Sequence, residues 1–172
     1  YIVAKNVRED GKRVLLTGQG ADELFGGYRR HETFFEQGPE VLDREIFSDL
    51  ENISQINLER DDMVSMANSV ELRVPFLDRE VVKTGLAITP ELKVLKKDGF
   101  YTRKYILRKT AEGLLPPALL WKEKKAMQYG TGVQKILEKL AKDAGFSKKE
   151  GNYLEKYLNL VALENGFEFI NK

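Results

Sequence analysis

The sequence lacks cysteine altogether and contains one histidine and one tryptophan. Without cysteine it cannot form a disulfide scaffold, a thiolate metal site or a cysteine nucleophile. Its 28 basic and 27 acidic residues nearly cancel, to a net charge of +1, which leaves no charge excess for binding nucleic acid or a membrane surface. No apolar run approaches the ~20 residues of a membrane span, and no signal-like start is visible. We therefore expect a cytoplasmic protein that binds neither nucleic acid nor membrane.

The apolar pattern of the 172 residues predicts a mostly helical chain with one convincing strand. The strand is Arg13–Thr17, a short apolar run that ends in glycine, as suits a buried parallel strand. Helical segments are predicted at residues 1–9, from 21 with an interruption at Gly26 and Gly27, at 39–66, from 79 after a cap at Asp78, at 99–113, from the prolines at 116, from 133 and from 153. A lone buried strand leaves backbone groups unpaired at both edges. Either further strands are hidden in the chain or, as we favour, the rest of the sheet comes from elsewhere.

Two glycines and an acid follow the predicted strand: Gly18, Gly20 and Asp22, with Gln19 between the glycines. Ligands of open α/β sheets bind beyond the carboxyl ends of the strands, where a glycine-rich turn enters a helix. Glycine lets backbone N–H groups approach a phosphate, and an aspartate offers the oxygen ligand that a nucleotide-bound Mg²⁺ takes. The alternative is structural, because acids in the first turn of any helix offset its dipole.

Four blocks in this order resemble the synthetase domain of glutamine-hydrolysing asparagine synthetase. They are LLTGQGADELFGGY at 15–28, LERDDMVSMANSVELRVPFLDRE at 58–80, KYILRKTAEGLLP at 104–116 and WKEKKAMQYGTG at 121–132. The first two are specific to that family and its β-lactam synthetase relatives. The chain after about Val133 carries no such block.

The resemblance implies an α/β parent fold of the adenine nucleotide α-hydrolase type, a parallel sheet with helices. Residues 1–172 would be the C-terminal half of the synthetase domain. The implied enzyme is a ligase that uses ATP and Mg²⁺ to adenylate a carboxylate, aspartate or a similar one, and releases pyrophosphate. Ammonia from a glutaminase domain then displaces AMP to give the amide. A homo-oligomer is compatible with this interpretation.

The resemblance also implies roles for individual residues. Asp22 is the implied Mg²⁺ ligand, next to the glycine turn. Lys124 matches the lysine of the family's Trp-Arg-x-Lys block and would offset charge on the phosphates and the adenylate, whereas without the resemblance it would be part of a solvated turn. Arg60 is expected to line the site, and a pair with Asp61 or a nearby helix acid is its equally weighted alternative.

Two parts of the family pattern are missing from the sequence. The Ser-Gly-Gly-x-Asp-Ser loop, which in the family cradles the phosphates and supplies a second metal carboxylate, does not occur. The glutaminase domain with its N-terminal cysteine nucleophile is missing as well, and the first residue is Tyr1 rather than methionine. We therefore expect a fragment or one piece of a split enzyme, inactive alone, that needs the N-terminal half or another chain carrying it.

Gln19 is a departure within the site itself, because asparagine synthetases usually carry glutamate there and β-lactam synthetase carries tyrosine. A neutral amide cannot serve as a general base, although it can orient a substrate by hydrogen bonds. Two alternatives to asparagine synthesis stay open. One is an adenylating amidoligase that acts on another carboxylate, and the other is a helical interaction remnant without catalysis.

Three further features are expected to be structural. His31 follows two arginines on a predicted helix and is interpreted as structural or solvated, with no metal role. The segment SVELRVPFLD at 69–78 could line the acceptor site, but pairing of Arg73 with Glu71 or Asp78 is the favoured interpretation. The apolar stripe from Tyr153 to Val161 is interpreted as core or as an interface with another chain.

Overall fold

The structure, a computed structural model, describes residues 1–123 and 130–167. The chain divides into two compact units, Tyr1–Trp121 and Lys122–Lys172. Within the described ranges, no helix is both long enough and apolar enough to cross a membrane.

The first unit begins with a helix and a strand, as the sequence predicts. Helix α1 (Ile2–Glu9) ends before Gly11, whose positive φ of 73° turns the chain into strand β1 (Val14–Leu16). Such a left-handed residue after a helix is most often glycine, because glycine lacks the Cβ that disfavours this conformation. The predicted helix at 1–9 and strand at 13–17 are both confirmed.

Helical segments occupy the chain between β1 and the second strand. They are α2 (Ala21–Leu24), α3 (Arg29–Gln37), α4 (Pro39–Ile53), a π-helical segment (Ser54–Leu58) and α5 (Glu59–Met66). The gap between α2 and α3 contains Gly26 and Gly27, where the sequence predicts an interruption. Pro39 lies in the first turn of α4, where its missing N–H removes no helical hydrogen bond. The unbroken helical run from Pro39 to Met66 confirms the predicted long helix.

A second strand, β2 (Glu71–Arg73), pairs in parallel with β1 and places Leu72 opposite Leu15. This corrects the expectation of a single strand, because the chain supplies two neighbouring strands of a parallel sheet. A three-residue strand with charged residues on both sides of one leucine carries no buried-strand pattern, so the sequence does not reveal it. Arg73 Nε also lies 2.7 Å from Glu71 Oε1, which is one of the two pairings predicted for this segment. Helices combined with a parallel pair are consistent with an α/β fold.

The chain after β2 forms a 3₁₀ turn (Pro75–Leu77), α6 (Arg79–Ala87) and α7 (Pro90–Lys93). The side chain of Asp78 accepts a hydrogen bond of 2.9 Å from the backbone N–H of Glu80, which confirms the predicted cap of α6.

An antiparallel hairpin follows, where the sequence predicts a helix at 99–113. Its strands are β3 (Val94–Lys97) and β4 (Phe100–Arg103), and helix α8 begins only afterwards (Tyr105–Thr110). The turn residues Asp98 and Gly99 have φ values of 51° and 81°. Two central residues with positive φ define a type I′ turn, for which Asp-Gly is a strong signal. The helix prediction for 99–103 is therefore wrong. Helix α9 (Pro117–Leu120) closes the described part of the first unit.

The hydrophobic core of the first unit lies between α3, α4 and the hairpin. Its fully buried residues are Leu42, Ile46 and Val94, and the partly buried Phe34, Phe35, Leu50 and Tyr101 pack against them. The hairpin is thereby fixed beside α3, which matters for the residues around Asp22.

The second unit contains two helices in contact, α10 (Val133–Asp143) and α11 (Tyr153–Glu164), with a 3₁₀ turn (Lys148–Glu150) between them. Both helices are predicted by the sequence. The rings of Phe146 and Tyr157 meet edge to face with centroids 6.2 Å apart, so part of the stripe from Tyr153 to Val161 packs within the unit.

Candidate functional site

The glycine turn after β1 places Asp22 in the first turn of α2. The β-ladder extends one residue past β1, because the N–H of Thr17 donates to Arg73 O at 2.9 Å. Gly20 has a φ of 90°, and a Cβ there would lie 2.4 Å from Cδ2 of Leu77. Both the backbone conformation and the packing therefore require glycine at position 20. Helix α2 is a single turn of four residues, so its dipole is small and Asp22 has a weaker structural explanation than in a long helix.

Asp22 faces a lysine from a distant part of the chain. Lys104 Nζ lies 2.8 Å from Asp22 Oδ1, and each side chain is 22% exposed. Lys104 adopts the left-handed conformation, with φ 53° and ψ 37°, at the start of α8. Such a conformation costs a non-glycine residue of the order of 1–3 kcal/mol, and residues held in it cluster at functional sites. The carboxylate of Asp22 is thus in a position that holds a positive charge.

Gly27 makes this close pairing possible. A Cβ at position 27 would lie 1.9 Å from Asp22 Oδ1 and 2.4 Å from Cε of Lys104. Two hydrogen bonds fix the backbone here, one of 2.8 Å from the N–H of Gly27 to Asp22 O and one of 3.2 Å from Arg103 Nη1 to Gly27 O. The sequence explains Gly27 only as a helix interruption, whereas the structure shows that it leaves room for the ion pair.

Glu23, the neighbour of Asp22, has a structural role. Its side chain is buried and accepts hydrogen bonds from the hydroxyl of Tyr28 and, at 3.4 Å, from Asn57 Nδ2. Burial, together with the bond to Glu23, raises the pKa of Tyr28, so this hydroxyl stays protonated. Of the adjacent acid pair, Asp22 is the less buried residue.

Arg60 takes the structural alternative, although it stays connected to the site. Its Nε and Nη2 donate to Asp61 Oδ1 at 2.9 and 2.8 Å, and its side chain is 62% exposed. The same Nη2 donates to Asn57 Oδ1 at 3.3 Å, and Asn57 in turn donates to Glu23. A hydrogen-bonded chain thus runs from Arg60 to the residue next to Asp22.

The remaining predicted site residues are less constrained. Gly18 is exposed, and no atom of the described residues lies within 4 Å of a Cβ added there, so packing does not require glycine at this position. Gln19 is half-buried in the turn between β1 and α2. Lys124 lies outside the described residues.

A second group of ion pairs connects α3 with α4 and with the hairpin. The ring of His31 is fully buried, and its Nε2 lies 2.9 Å from Asp49 Oδ2, while Arg30 Nη2 lies 2.6 Å from Asp49 Oδ1. Burial lowers the pKa of His31, and the bond to Asp49 opposes this only in part. From the hairpin, Arg103 Nε reaches Glu32 Oε1 at 2.9 Å. His31 is therefore structural, as expected.

The sequence reasoning missed Lys104 and Arg103, the two basic residues that the hairpin brings to α2 and α3. Within the sequence they belong to a segment that resembles a helix. The Asp98-Gly99 dipeptide is the signal that could have predicted the hairpin, and with it the placement of residues 103 and 104 at the end of a strand.

The described residues can offer a metal ion one carboxylate at this site. Within residues 1–123 and 130–167, no group of three or more histidine, aspartate or glutamate side chains is positioned to hold a metal. Mg²⁺ typically takes one or two carboxylates and completes its shell with phosphate oxygens and water. The ammonium of Lys104 already lies against this carboxylate, 2.8 Å from Asp22 Oδ1. A single carboxylate is enough only for a Mg²⁺ ion whose other ligands come from phosphate oxygens and water.

The sequence matches the family model for asparagine synthase over residues 1–37 and 34–167. A Methanocaldococcus jannaschii protein whose name describes a glutamine-hydrolysing asparagine synthetase is 44% identical over 88% of this chain and 34% of its own length. Glutamine-hydrolysing asparagine synthetase 1 of Saccharomyces cerevisiae is 32% identical over 77% of the chain and 24% of its own length. That of Triphysaria versicolor is 31% identical over 77% and 23%. The chain thus spans about a third or less of the length of these relatives.

Proposed function

The chain belongs to the asparagine synthase family, and we propose that it is part of a ligase that forms asparagine from a carboxylate, ATP and ammonia. In this proposal, β1 and β2 are two strands of a larger parallel sheet of the adenine nucleotide α-hydrolase type. The other strands, the phosphate-binding loop and the glutaminase domain lie outside this chain. Residues 1–172 then form the C-terminal half of the synthetase domain.

The proposed reaction has two steps. A carboxylate oxygen of aspartate attacks the α-phosphorus of ATP, the bond to the β-phosphate oxygen breaks, and pyrophosphate leaves. Ammonia then attacks the acyl carbon of the adenylate, the bond to the AMP oxygen breaks, and the nitrogen loses a proton to give the amide. Both steps separate charge on phosphate groups, so positioned cations lower their barriers.

The ion pair between Asp22 and Lys104 is the observation that supports this function most directly. Mg²⁺, held by Asp22 and phosphate oxygens, would neutralise charge on the leaving pyrophosphate. Lys104 fixes the orientation of the Asp22 carboxylate, and its ammonium has three N–H donors, of which the pair uses one. The other donors can serve a phosphate oxygen. A carboxylate, a lysine and a glycine turn that is exposed at Gly18, beyond a parallel strand, together suit a magnesium nucleotide.

The other site residues take the following proposed roles. The backbone of Gly18 and Gly20 approaches the nucleotide, and Lys124 offsets charge on the phosphates and the adenylate. Gln19 orients the acceptor carboxylate by hydrogen bonds, because an amide cannot act as a general base. Arg60 acts through Asn57 on the placement of Glu23 and hence on the turn that carries Asp22.

The test uses the complete enzyme, in which this chain is joined to its upstream half. We expect Asp22→Asn to reduce Mg²⁺-dependent, aspartate-stimulated pyrophosphate release by at least a hundredfold, a loss typical for one preorganised catalytic group. The control is Asp62→Asn, on an exposed residue of α5, which should keep activity within twofold. Normal turnover in Asp22→Asn would overturn the metal assignment. If no carboxylate stimulates pyrophosphate release from the wild-type enzyme, the proposed function itself is wrong.

Gln19 favours one alternative, an amidoligase for a different carboxylate. The same pyrophosphate assay with a panel of amino-acid and dicarboxylate substrates separates the two functions. Strict preference for aspartate with asparagine as the product excludes the alternative, whereas stronger stimulation by another carboxylate supports it.

A further inference from the structure

The second unit contains a lysine-rich cavity with no role in the function proposed above. The cavity has a volume of about 690 Å³ and lies at α10 and the turn that follows it. Its charged lining residues are Lys135, Glu138, Lys139, Lys142, Lys148 and Lys149. A volume between about 300 and 1,000 Å³ is usual for sites that bind small molecules.

Among residues 130–167, most lysines line the cavity, whereas most acidic residues do not. Residues 130–167 contain six lysines, of which five line the cavity and only Lys156 does not. The same residues contain five acids, of which only Glu138 lines the cavity. The lining therefore carries an excess of four positive charges, although the second unit's described helices are nearly neutral as a whole.

One lysine of the lining is neutralised within the protein. Lys148 Nζ lies 2.8 Å from Glu138 Oε2, and Gln134 Nε2 donates to the other oxygen of Glu138 at 3.3 Å. These hydrogen bonds lower the pKa of Glu138, so its carboxylate is charged and holds Lys148. Among the described residues, Lys139, Lys142 and Lys149 have no carboxylate within ion-pair distance.

The backbone turn after α10 brings the later lysines back to the earlier ones. Gly145, with a φ of 91°, ends the helix, and the N–H of Phe146 donates to Ala141 O at 2.9 Å while that of Gly145 donates to Lys142 O at 3.0 Å. This hydrogen-bond pair is a Schellman motif, which reverses the chain sharply. Lys148 and Lys149 consequently face the same space as the lysines of α10.

The helix dipole favours Lys142, in the last turn of α10, but not the other lysines of this helix. Lys135, Lys139 and Lys142 follow each other at spacings of four and three, where like charges on a helix repel. Lys135 also lies in the first turn of α10, where the dipole disfavours a cation. A bound anion would relieve the repulsion among these lysines.

We propose that this cavity binds a chain of phosphate groups, either free polyphosphate or the triphosphate of a nucleotide. The lysines of α10 extend over about 10 Å of helix. A linear polyanion can contact several of them at once, whereas one phosphate cannot, and lysine binds phosphate as a point charge. The hydroxyl of Ser147, whose oxygen already accepts from the N–H of Lys149 at 3.3 Å, adds a donor to the lining.

Titration calorimetry on the 172-residue chain at low ionic strength tests the proposal, with tripolyphosphate, ATP and AMP as probes. We expect one tripolyphosphate per chain and at least tenfold weaker binding of AMP. ATP binding tighter than tripolyphosphate would identify a nucleotide as the ligand, since Phe146 and Tyr153 can then contact the base. Equal binding would identify the phosphate chain alone.

The matched variants are two double substitutions that remove the same charge. Lys139→Gln with Lys142→Gln, inside the cavity, should weaken tripolyphosphate binding at least tenfold. Lys97→Gln with Lys156→Gln, on exposed residues outside the cavity, should change it less than twofold. Asp22→Asn should leave it unchanged, which separates this site from the proposed catalytic one. No binding by the wild-type chain, or equal losses in the two double variants, would overturn the proposal.

Discussion

The turn around Asp22 and the α10–α11 helix pair differ in the sequence separation of the residues that contact each other. The turn is held by Lys104 and by a bond between Arg103 and Gly27, residues separated by 76 positions. In the α10–α11 helix pair, the ion pair between Glu138 and Lys148 spans only 10 positions. The first region therefore exists only when distant segments have docked, whereas the second can form from its own neighbours.

Residues around Asp22 are also more deeply buried than those of the α10–α11 helix pair. Seven of the eight residues from Gly20 to Gly27 are buried, and Asp22 is the exception. In the described part of the second unit, only Ala141 is buried, and Leu158 remains 47% exposed. The carboxylate of Asp22 is thus surrounded by densely packed residues, whereas the lysine cavity lies on a helix pair that is mostly exposed. Substitutions should consequently cost far more in the first region.

The largest difference should come from the same truncation made in both regions. Leu24 is fully buried and packs against Gly85, so Leu24→Ala should destabilise the first unit by about 3 kcal/mol. Leu158→Ala should cost less than about 1 kcal/mol, because half of that side chain is already in water. Hydrogen exchange of amides in each unit measures both effects. Equal losses of unfolding free energy would show that the α10–α11 helix pair is covered by something outside the described residues.

A second comparison uses glycines on the two sides of Asp22. Gly27→Ala places a methyl group onto Asp22 and Lys104, and such overpacking typically costs about 1–3 kcal/mol. Gly18→Ala is the control and should change stability by less than about 0.5 kcal/mol, because its site is open. Urea unfolding midpoints give both values. In the complete enzyme, Gly27→Ala should also lower Mg²⁺-dependent pyrophosphate release, and unchanged activity would contradict the proposed importance of the ion pair.

The smallest expected effect is a pH dependence carried by His31. Burial lowers the pKa of His31 in the folded chain. Below the ordinary pKa of about 6.5, His31 therefore binds a proton in the unfolded chain before it does so in the folded chain. Stability is therefore complete above about pH 6.5 and falls as the pH drops towards the folded pKa. For one proton the slope is at most about 1.4 kcal/mol per pH unit.

Denaturant titrations between pH 5.5 and 7.5 measure this slope. Because His31 is the only histidine in the chain, His31→Gln should flatten the curve in that range. A slope that persists in the variant would assign the effect to another group. The second unit contains no histidine, so its stability should not change over the same range.

The sequence predicted the elements whose signals are local. The apolar run of β1, the cap at Asp78, Pro39 at the start of α4 and the apolar spacing of α10 and α11 all lie within a few residues of the structure they specify. The four family blocks likewise identified the family from residue identity alone. The role of Asp22 as a metal ligand stays a prediction that rests on this resemblance.

The tertiary structure decided what depends on pairing between distant segments. Leu72 becomes a strand residue only because β1 lies beside it, and Lys104 reaches Asp22 only because the hairpin packs on α3. Such contacts leave no periodic pattern in the sequence, since neither partner's neighbours carry information about the other. The sequence determined which short segments form helices or strands, because those preferences act over a few residues. The tertiary structure determined the site, because its charged residues meet only after distant segments have packed together.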